Sequence, residues 1–288
     1  MHPDIAQKIA AIGRVIDPVK TAAIYAPLHD LEPYAGIGVT RDIAYGPAER
    51  HRLDVFVAEG ATGGPRPVLV FVHGGGFTGG NKATPGSPFY DNVPLWAARN
   101  GLVGVNMTYR LAPKHAWPAG PQDVGAALRW VIENIAQYGG DPARIVLFGH
   151  SAGATHAGSY AAMPQFHGPA GLGIAGLVLT SGIYDLTDFP VNDGYRSYIG
   201  HDTSLYAERS PIGGLRRLPV PSMVVCAELD PPPFLTQFDA LVVAMADAPG
   251  GKPQTLMLQQ HSHLSLGYAI GTDDDALTGP ALAFIRSM

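Results

Sequence analysis

From Pro67 onward, short apolar runs alternate with longer stretches of helical periodicity, and this alternation constrains the fold more than any other feature of the chain. Each run has the length and continuous hydrophobicity of a strand that is buried on both faces. In the clearest intervening stretch, Pro121 suits a first helical turn, and Val124, Leu128 and Val131 then share one face. The pattern predicts an α/β fold with a mostly parallel central sheet flanked by helices. The predicted strands are Val68–Val72, Leu102–Met107, Ile145–Phe148, Ile174–Leu179, Val220–Cys226 and Thr255–Leu258.

The chain before this region has a different pattern. Two amphipathic stretches, Pro3–Ile12 and Pro18–Leu28, carry apolar residues at helical spacing. An extended pair follows, Gly38–Tyr45 and Arg52–Val57, with a Gly-Pro turn between its members. We therefore expect two short helices and then two strands before the alternating region begins.

Composition excludes several classes of protein. The single cysteine, Cys226, excludes a disulfide scaffold and a cysteine-rich metal site. No apolar run approaches the ~18 residues of a membrane span, and the N-terminus lacks the pattern of a secretory signal. The net charge is −5 and no basic cluster is present, so we expect no nucleic-acid partner. We expect a cytoplasmic protein that does not bind membranes.

The segment Gly149-His-Ser-Ala-Gly153 lies between a predicted strand and a run of small residues that suits a tightly packed helix. A sharp turn from strand to helix forces the central residue, Ser151, into strained backbone angles and exposes its hydroxyl at the end of the sheet. Side chains two residues to either side would collide, which explains both glycines. The alternative is a glycine-rich turn beside a buried helix, but the setting favours a nucleophile.

A second glycine-rich segment, His73-Gly-Gly-Gly-Phe77, follows the predicted strand Val68–Val72. Consecutive glycines let backbone N–H groups approach a ligand closely, as the oxyanion that develops during acyl transfer requires. A phosphate-binding loop would need Gly-Lys-Ser/Thr at its end, and Gly79-Gly-Asn-Lys82 does not fit. We therefore favour an oxyanion-binding loop over a phosphate site or a merely flexible loop.

A nucleophilic serine needs a base, and the base needs a carboxylate that orients it. Glu228 and Asp230 follow one predicted strand, and His261 and His263 follow the next. The order Ser…Asp…His along the chain is the order that α/β-hydrolases use. The pattern favours Asp230 and His263 and leaves Glu228 and His261 open as alternatives. Further candidates for the carboxylate, after an earlier strand, are Asp185 and Asp188.

Four motifs together resemble the α/β-hydrolase carboxylesterases of the hormone-sensitive-lipase-like type, and similar motifs occur in the ferulic-acid-esterase-like branch. The motifs are His73-Gly-Gly-Gly-Phe77, Tyr109-Arg-Leu-Ala-Pro113, Asp141-Pro142 with Arg144-Ile145, and Gly149-His-Ser-Ala-Gly153. The resemblance covers roughly residues 39–288 and implies the α/β-hydrolase fold for this catalytic domain. It also implies a small N-terminal helical cap or lid, which we assign to residues 1–38; ordinary packing on the sheet is the alternative.

The resemblance also implies roles for individual residues. Asp230 lies in a Glu-Leu-Asp-Pro sequence similar to the family's acid loop, and His263 is followed by an apolar residue, as the family's catalytic histidine is. With Ser151 they form the expected triad. One departure is His150, which stands where the main lipase-like group usually has Asp. The expected oxyanion-hole donors are the N–H groups of Gly75, Gly76 and Ala152.

These inferences predict a serine carboxylesterase that hydrolyses short-chain or small aromatic carboxylic esters through an acyl-enzyme, with no metal and no organic cofactor. An amidase or arylformamidase would use the same triad, and a non-catalytic hydrolase-fold binding protein is a further alternative. The expected partner is a small-molecule ester. The low fraction of charged residues, 15%, fits a homodimer. The side chains expected to bind substrate are Phe77, His150, Tyr195 and Tyr198.

Overall fold

A single sheet forms the centre of the protein in the computed structural model, which describes residues 1–60 and 62–288. Its strands in the described residues are Ile37–Ala44 (β1), Arg52–Ala58 (β2), Arg66–Val72 (β3), Val103–Met107 (β4), Gly140–His150 (β5), Gly176–Thr180 (β6), Ser222–Leu229 (β7) and Gln254–Ser262 (β8). Their spatial order is β1-β2-β4-β3-β5-β6-β7-β8. The pairs β1–β2 and β2–β4 are antiparallel, and the other neighbours are parallel. The predicted mostly parallel sheet is confirmed.

The central strands are apolar throughout because helices cover both faces of the sheet. In β3, the side chains of Val68 and Val70 join one core, whereas Leu69 and Phe71 join the core on the opposite face. All four are fully buried. This arrangement follows from the two-residue period of a strand, which sends successive side chains to opposite faces.

The helices of the described residues are Pro3–Ile12 (α1), Pro18–Tyr25 (α2), Asn92–Arg99 (α3), Ala119–Asn134 (α4), Ala152–Ala162 (α5), Asp193–Ile199 (α6), Tyr206–Arg209 (α7), Ile212–Leu215 (α8), Pro232–Ala244 (α9), Ser265–Tyr268 (α10) and Thr278–Arg286 (α11). Residues from α4, α5, α8 and α9 pack on the face that carries Val68. Residues from α1, α2, α3, α10 and α11 pack on the face that carries Leu69. No helix in the described part of the chain is long and apolar enough to cross a membrane.

The N-terminal helices lie against the sheet close to the ends of β7 and β8. Ile9 of α1 and Tyr25 of α2 are buried in the core on that face. Between the two helices, Arg14 Nη1 donates a hydrogen bond to the backbone carbonyl oxygen of Asp230, at 3.2 Å. β1 begins at Ile37, so the sheet starts just before the predicted division at residue 39.

Strands β7 and β8 extend beyond the apolar runs that predicted them. Their pairing continues through Ala227 with Leu258 and through Leu229 with Ser262, with an irregular step between these pairs. Backbone hydrogen bonds do not require apolar side chains, so the ladder continues after the hydrophobic run ends. At this irregularity Gln260 has a φ of +64°. This irregularity lies three residues before His263.

Candidate active site

Ser151 occupies a sharp turn between β5 and α5. Its φ of +55° and ψ of −123° lie in a strained region of backbone space, as the sequence predicted. A Cβ at Gly149 would lie 2.5 Å from Ala154 Cα, and a Cβ at Gly153 would lie 2.1 Å from the carbonyl oxygen of Val72. Only glycine fits at these two positions, and the turn directs Ser151 toward the loop that follows β3.

Hydrogen bonds join Ser151 to His263 and His263 to Asp230. His263 Nε2 lies 2.7 Å from Ser151 Oγ, and His263 Nδ1 lies 2.6 Å from Asp230 Oδ1. Because an ionised carboxylate only accepts, Nδ1 carries the proton and Nε2 is the acceptor for the serine hydroxyl. The side chains of His263 and Asp230 are 1% and 0% exposed. The arrangement brings together the three residues that the sequence favoured.

Three donors from separate segments hold the Asp230 carboxylate. Besides His263, Ser181 Oγ donates to Oδ2 at 2.5 Å and the backbone N–H of Ala227 donates to Oδ2 at 2.8 Å. Burial alone would raise the pKa of Asp230, but these donors and the His263 ring outweigh it and hold the pKa below its ordinary value. Sequence reasoning missed Ser181, although it lies just after a predicted strand. The backbone of Ser181 is strained, with a φ of +47°.

The other candidate carboxylates make different contacts. Glu228 Oε2 accepts a hydrogen bond from the backbone N–H of Gln260, at 2.7 Å. Asp185 Oδ1 accepts from the backbone N–H of Thr187 within a local turn, and Asp188 is exposed. None of these three carboxylates is hydrogen-bonded to His263.

The alternative histidine, His261, is buried in a separate polar cluster. Its Nδ1 lies 3.0 Å from Ser265 Oγ, and its Nε2 lies 3.2 Å from Asp274 Oδ2. His261 and His263 would share one face of a regular strand. β8 ends at Ser262 and His263 begins the turn into α10, so the two rings reach different partners.

The loop after β3 lies directly against the nucleophile. A Cβ at Gly74 would be 3.1 Å from Ser151 Cβ, and one at Gly75 would be 2.1 Å from the carbonyl oxygen of Gly79. Gly75 and Gly76 both have positive φ, +137° and +59°. Ala152 begins α5, where an N–H has no intrahelical partner. Among the hydrogen bonds of the described residues, none uses the N–H of Gly75, Gly76 or Ala152 as donor.

His73 and its neighbours anchor this loop. His73 Nδ1 donates to the carbonyl oxygen of Gly74 at 2.6 Å, and Tyr109 stacks on the His73 ring at 4.4 Å between centroids. The Tyr109 hydroxyl donates to the His73 carbonyl oxygen, and Arg50 donates to the carbonyl oxygens of Tyr109 and Gly80. Burial lowers the pKa of His73 to about 3, so the ring is neutral at physiological pH. These hydrogen bonds and the stacked Tyr109 ring therefore hold the loop in place, and the neutral His73 ring adds no positive charge to it.

His150, predicted to bind substrate, lies behind the base. It is fully buried, and its Nε2 donates to the backbone carbonyl oxygen of His263, at 2.9 Å. Its ring lies 6.1 Å from the Tyr90 ring and 5.3 Å from the His263 ring, measured between centroids. These contacts give His150 a structural environment behind the base.

The other predicted substrate contacts belong to an aromatic cluster in front of the triad. Four rings form what we call the aromatic wall: Phe77, Tyr195, Phe189 and Phe234. Centroid distances are 5.8 Å between Phe77 and Tyr195, 5.5 Å between Tyr195 and Phe189, and 5.4 Å between Phe189 and Phe234. Phe234 lies 4.5 Å from the His263 ring. Tyr198 stacks on Phe77 from inside and is fully buried.

Sequence reasoning missed Phe234 as a neighbour of the base. The residue follows Asp230 and three prolines at the start of α9, so proximity along the chain could have suggested it. The wall and the loop leave Ser151 only 9% exposed.

A charged cavity of about 710 Å³, lined in part by Arg41, Lys82 and Asp91, contains no residue of the triad. Within the described residues, no three His, Cys, Asp or Glu side chains are grouped to hold a metal ion.

The amino-acid sequence is similar to those of several known proteins. The sequence model of a family described as an alpha/beta hydrolase fold matches residues 69–209. Esterase LipQ of Mycobacterium tuberculosis is 33% identical over 229 residues, which cover 73% of this chain and 53% of LipQ. Carboxylesterase NlhH of the same organism is 49% identical over 92 residues, which cover 30% of this chain and 26% of NlhH. The chain thus spans about half the length, or less, of these curated relatives.

Solved structures match over almost the whole chain. Esterase B of Lactobacillus rhamnosis has a TM-score of 0.73 at 18% identity, covering 99% of this chain and 94% of that chain. An esterase of Pyrobaculum calidifontis has a TM-score of 0.71 at 22% identity, covering 100% and 97%. Another structure of esterase B, described with a C4-C4 tributyrin phosphonate, has a TM-score of 0.76 at 18% identity and covers 100% and 97%. At these identities the likeness shows a common fold.

Proposed function

Since the chain belongs to the α/β-hydrolase fold family, we propose that it is a serine carboxylesterase with Ser151 as nucleophile, His263 as general base and Asp230 as the orienting acid. The observation that carries the proposal is the unbroken hydrogen-bonded series from Ser151 Oγ through His263 to Asp230, at 2.7 and 2.6 Å. Such a series activates a serine hydroxyl. Relatives named esterase and carboxylesterase support carboxylic ester hydrolysis as the reaction class.

The proposed reaction has two halves. His263 Nε2 takes the Ser151 proton as Oγ attacks the ester carbonyl, and the N–H groups of Gly75, Gly76 and Ala152 stabilise the resulting oxyanion. His263 then gives its proton to the leaving alcohol, which leaves an acyl group on Ser151. In the second half, His263 takes a proton from water, the hydroxide attacks the acyl carbon, and the carboxylic acid departs as Ser151 regains its proton.

We propose that the acyl group is short, peaking at about four carbons or fewer, or a small aromatic group. The aromatic wall supports this size limit because its rings pack in the apolar cluster that contains Ala152, and Phe234 lies 4.5 Å from the His263 ring. The N-terminal helices α1 and α2 are only 10 and 8 residues long. They therefore lack the extent of a long apolar lid over an acyl chain. Aromatic rings also offer stacking surfaces to a flat substrate.

A panel of p-nitrophenyl esters from acetyl to dodecanoyl, each below its micelle limit, tests this proposal. We expect kcat/KM to peak at four carbons or fewer, and a maximum at ten carbons or beyond would contradict it. A fluorophosphonate probe should label the wild-type protein and not Ser151→Ala. Faster turnover of N-formylkynurenine than of p-nitrophenyl acetate would identify an arylformamidase instead. No labelling and no turnover would favour a non-catalytic binding protein.

We further propose that residues 1–38 form a wall of the site, and the hydrogen bond from Arg14 to the Asp230 carbonyl oxygen supports this role. Arg14→Ala should then change the acyl preference without altering the fold.

Exposed apolar side chains on the same segment, including Val15 and Val19, would suit a homodimer. Light scattering after size-exclusion chromatography tests the homodimer. The proposed cytoplasmic location, which a single buried thiol suits, is tested by cell fractionation.

A further inference from the structure

A solvent-open pocket lies on the outer side of the aromatic wall. Its volume is about 320 Å³, and we call it the outer pocket. Leu186, Phe189 and Tyr206 line it with buried apolar surface, whereas Thr203 and Arg196 stand at its more exposed rim. The pocket thus combines an apolar floor with an open mouth, which is the form of a small-ligand subsite.

Phe189 separates this pocket from the triad. Its side chain lines the outer pocket and also belongs to the apolar cluster that contains Ala152 beside the nucleophile. Its ring lies 5.4 Å from Phe234, which lies 4.5 Å from the His263 ring. The outer pocket is therefore two aromatic rings away from the base, and Phe189 is the nearer of these rings to the pocket.

The floor of the outer pocket is fixed by hydrogen bonds, whereas the Phe189 ring is not. The N–H of Leu186 donates to Ser210 Oγ at 2.8 Å, and Ser210 Oγ donates to the carbonyl oxygen of Tyr206 at 2.6 Å. The Tyr206 hydroxyl donates to the carbonyl oxygen of Gly200 at 2.9 Å. A phenyl ring has only packing contacts, so rotation of the Phe189 side chain breaks no hydrogen bond.

We propose that the outer pocket is a second subsite for the acyl chain of the ester, and that Phe189 is the specificity-determining residue that closes it. This inference rests on the proposed esterase function. With the Phe189 ring in place, the space beside Ser151 holds a short acyl group. When the ring is absent or rotated, an unbranched acyl chain longer than about four carbons passes into the outer pocket and packs on Leu186 and Tyr206. Each methylene buried there strengthens binding about fourfold.

The test compares kcat/KM for p-nitrophenyl octanoate with kcat/KM for p-nitrophenyl acetate. Phe189→Ala should raise this ratio by at least tenfold, and Phe189→Leu should raise it less because part of the side chain remains. Adding Thr203→Trp to Phe189→Ala should return the ratio toward the wild-type value, because an indole would fill the pocket from its rim. Phe238→Ala is the matched control: Phe238 is a half-buried phenylalanine on α9 that packs against the core on the Val68 face.

The outcomes separate this inference from the proposed function. Wild-type-like ratios in folded Phe189→Ala, or an equal rise in Phe238→Ala, would overturn the subsite. So would failure of Thr203→Trp to reverse the change. If Phe189→Ala does not fold, as judged by circular dichroism, the ratio of Phe189→Leu decides. Absence of turnover of every ester by the wild-type protein would instead refute the proposed function.

Discussion

His150 Nε2 lies 2.9 Å from the backbone carbonyl oxygen of His263, so the residue before the nucleophile holds the backbone of the residue that carries the base. A carbonyl oxygen only accepts, so Nε2 bears the proton and Nδ1 is unprotonated. Burial lowers the pKa of His150 to about 3, which keeps the ring neutral at physiological pH. Neutrality matters because a second imidazolium beside His263 would oppose the charge that the base acquires during catalysis. His150 thus positions His263 without competing for its proton.

Ser151→Ala should abolish ester hydrolysis and leave the fold intact. The change removes the atom that attacks the carbonyl, and loss of a triad residue typically lowers kcat by about 10⁴–10⁶-fold. The kinetics of p-nitrophenyl acetate hydrolysis check the activity, and circular dichroism checks the fold. A purified variant that kept a tenth of wild-type activity would show that Ser151 is not the nucleophile.

The sequence was most informative where glycine is sterically required. Gly149 and Gly153 predict the strained turn at Ser151, because any side chain there would meet neighbouring backbone at 2.5 Å or less. The order of motifs along the chain likewise predicts the fold, since three of the four motifs follow an apolar strand. These are local constraints, and a local pattern in the sequence reports them well.

Contacts between distant segments could not be predicted in this way. Ser181 and Phe234 are 49 and 29 residues from the groups they contact, Asp230 and His263, and neither has a local pattern that names its partner. The separate surroundings of His261 and His263 depend on the end of β8 at Ser262, which the apolar run Thr255–Leu258 does not indicate. Tertiary packing decides such details, so they had to come from the structure.

His263→Ala should reduce activity as severely as Ser151→Ala, whereas His261→Ala should retain substantial activity. The His263 ring is hydrogen-bonded to Ser151 Oγ, whereas His261 lies beside Ser265 and Asp274. Measuring kcat for both variants at the same pH checks the ranking. Greater loss in a folded His261→Ala protein would make His261 the base.

Asp230→Asn should lower kcat by about 10³–10⁴-fold, because an amide cannot hold the required tautomer of His263. Glu228→Gln is the matched control, since this side chain accepts a hydrogen bond from the Gln260 backbone instead. The control should lose little activity. If Glu228→Gln were the more damaging change, the acid would be Glu228.

Ser181→Ala should lower kcat by about tenfold or more without a comparable effect on KM. The variant removes a donor to the Asp230 carboxylate, and a hydrogen bond to a charged group contributes about 1.5–3 kcal/mol. Because the carboxylate is less stabilised, the lower limb of the kcat pH profile should also change. Rescue by Ser181→Thr would support a positioning role for the hydroxyl. An unchanged pH profile, with only lower thermal stability, would assign Ser181 a structural role.

Stability should fall in mild acid because three histidines are buried in neutral form. Burial lowers the pKa of His73, His150 and His156 to about 3, whereas an unfolded histidine has a pKa of about 6.5. Between these values the unfolded state binds more protons, so the free energy of unfolding decreases as the pH falls below about 6.5. Each histidine contributes up to about 1.4 kcal/mol per pH unit, and the carboxylates with lowered pKa add to the loss only below about pH 4.

Urea unfolding at pH 7.5, 6 and 5 checks this expectation, with a loss on the order of 3 kcal/mol between pH 6 and pH 5. His156→Gln should reduce the slope of unfolding free energy against pH by about a third, because one of the three buried imidazoles is removed. His201→Gln is the control, since His201 is exposed and its removal should leave the slope unchanged. A free energy of unfolding that stays constant from pH 7.5 to pH 5 would mean that the three rings accept protons in the folded protein as readily as in the unfolded chain.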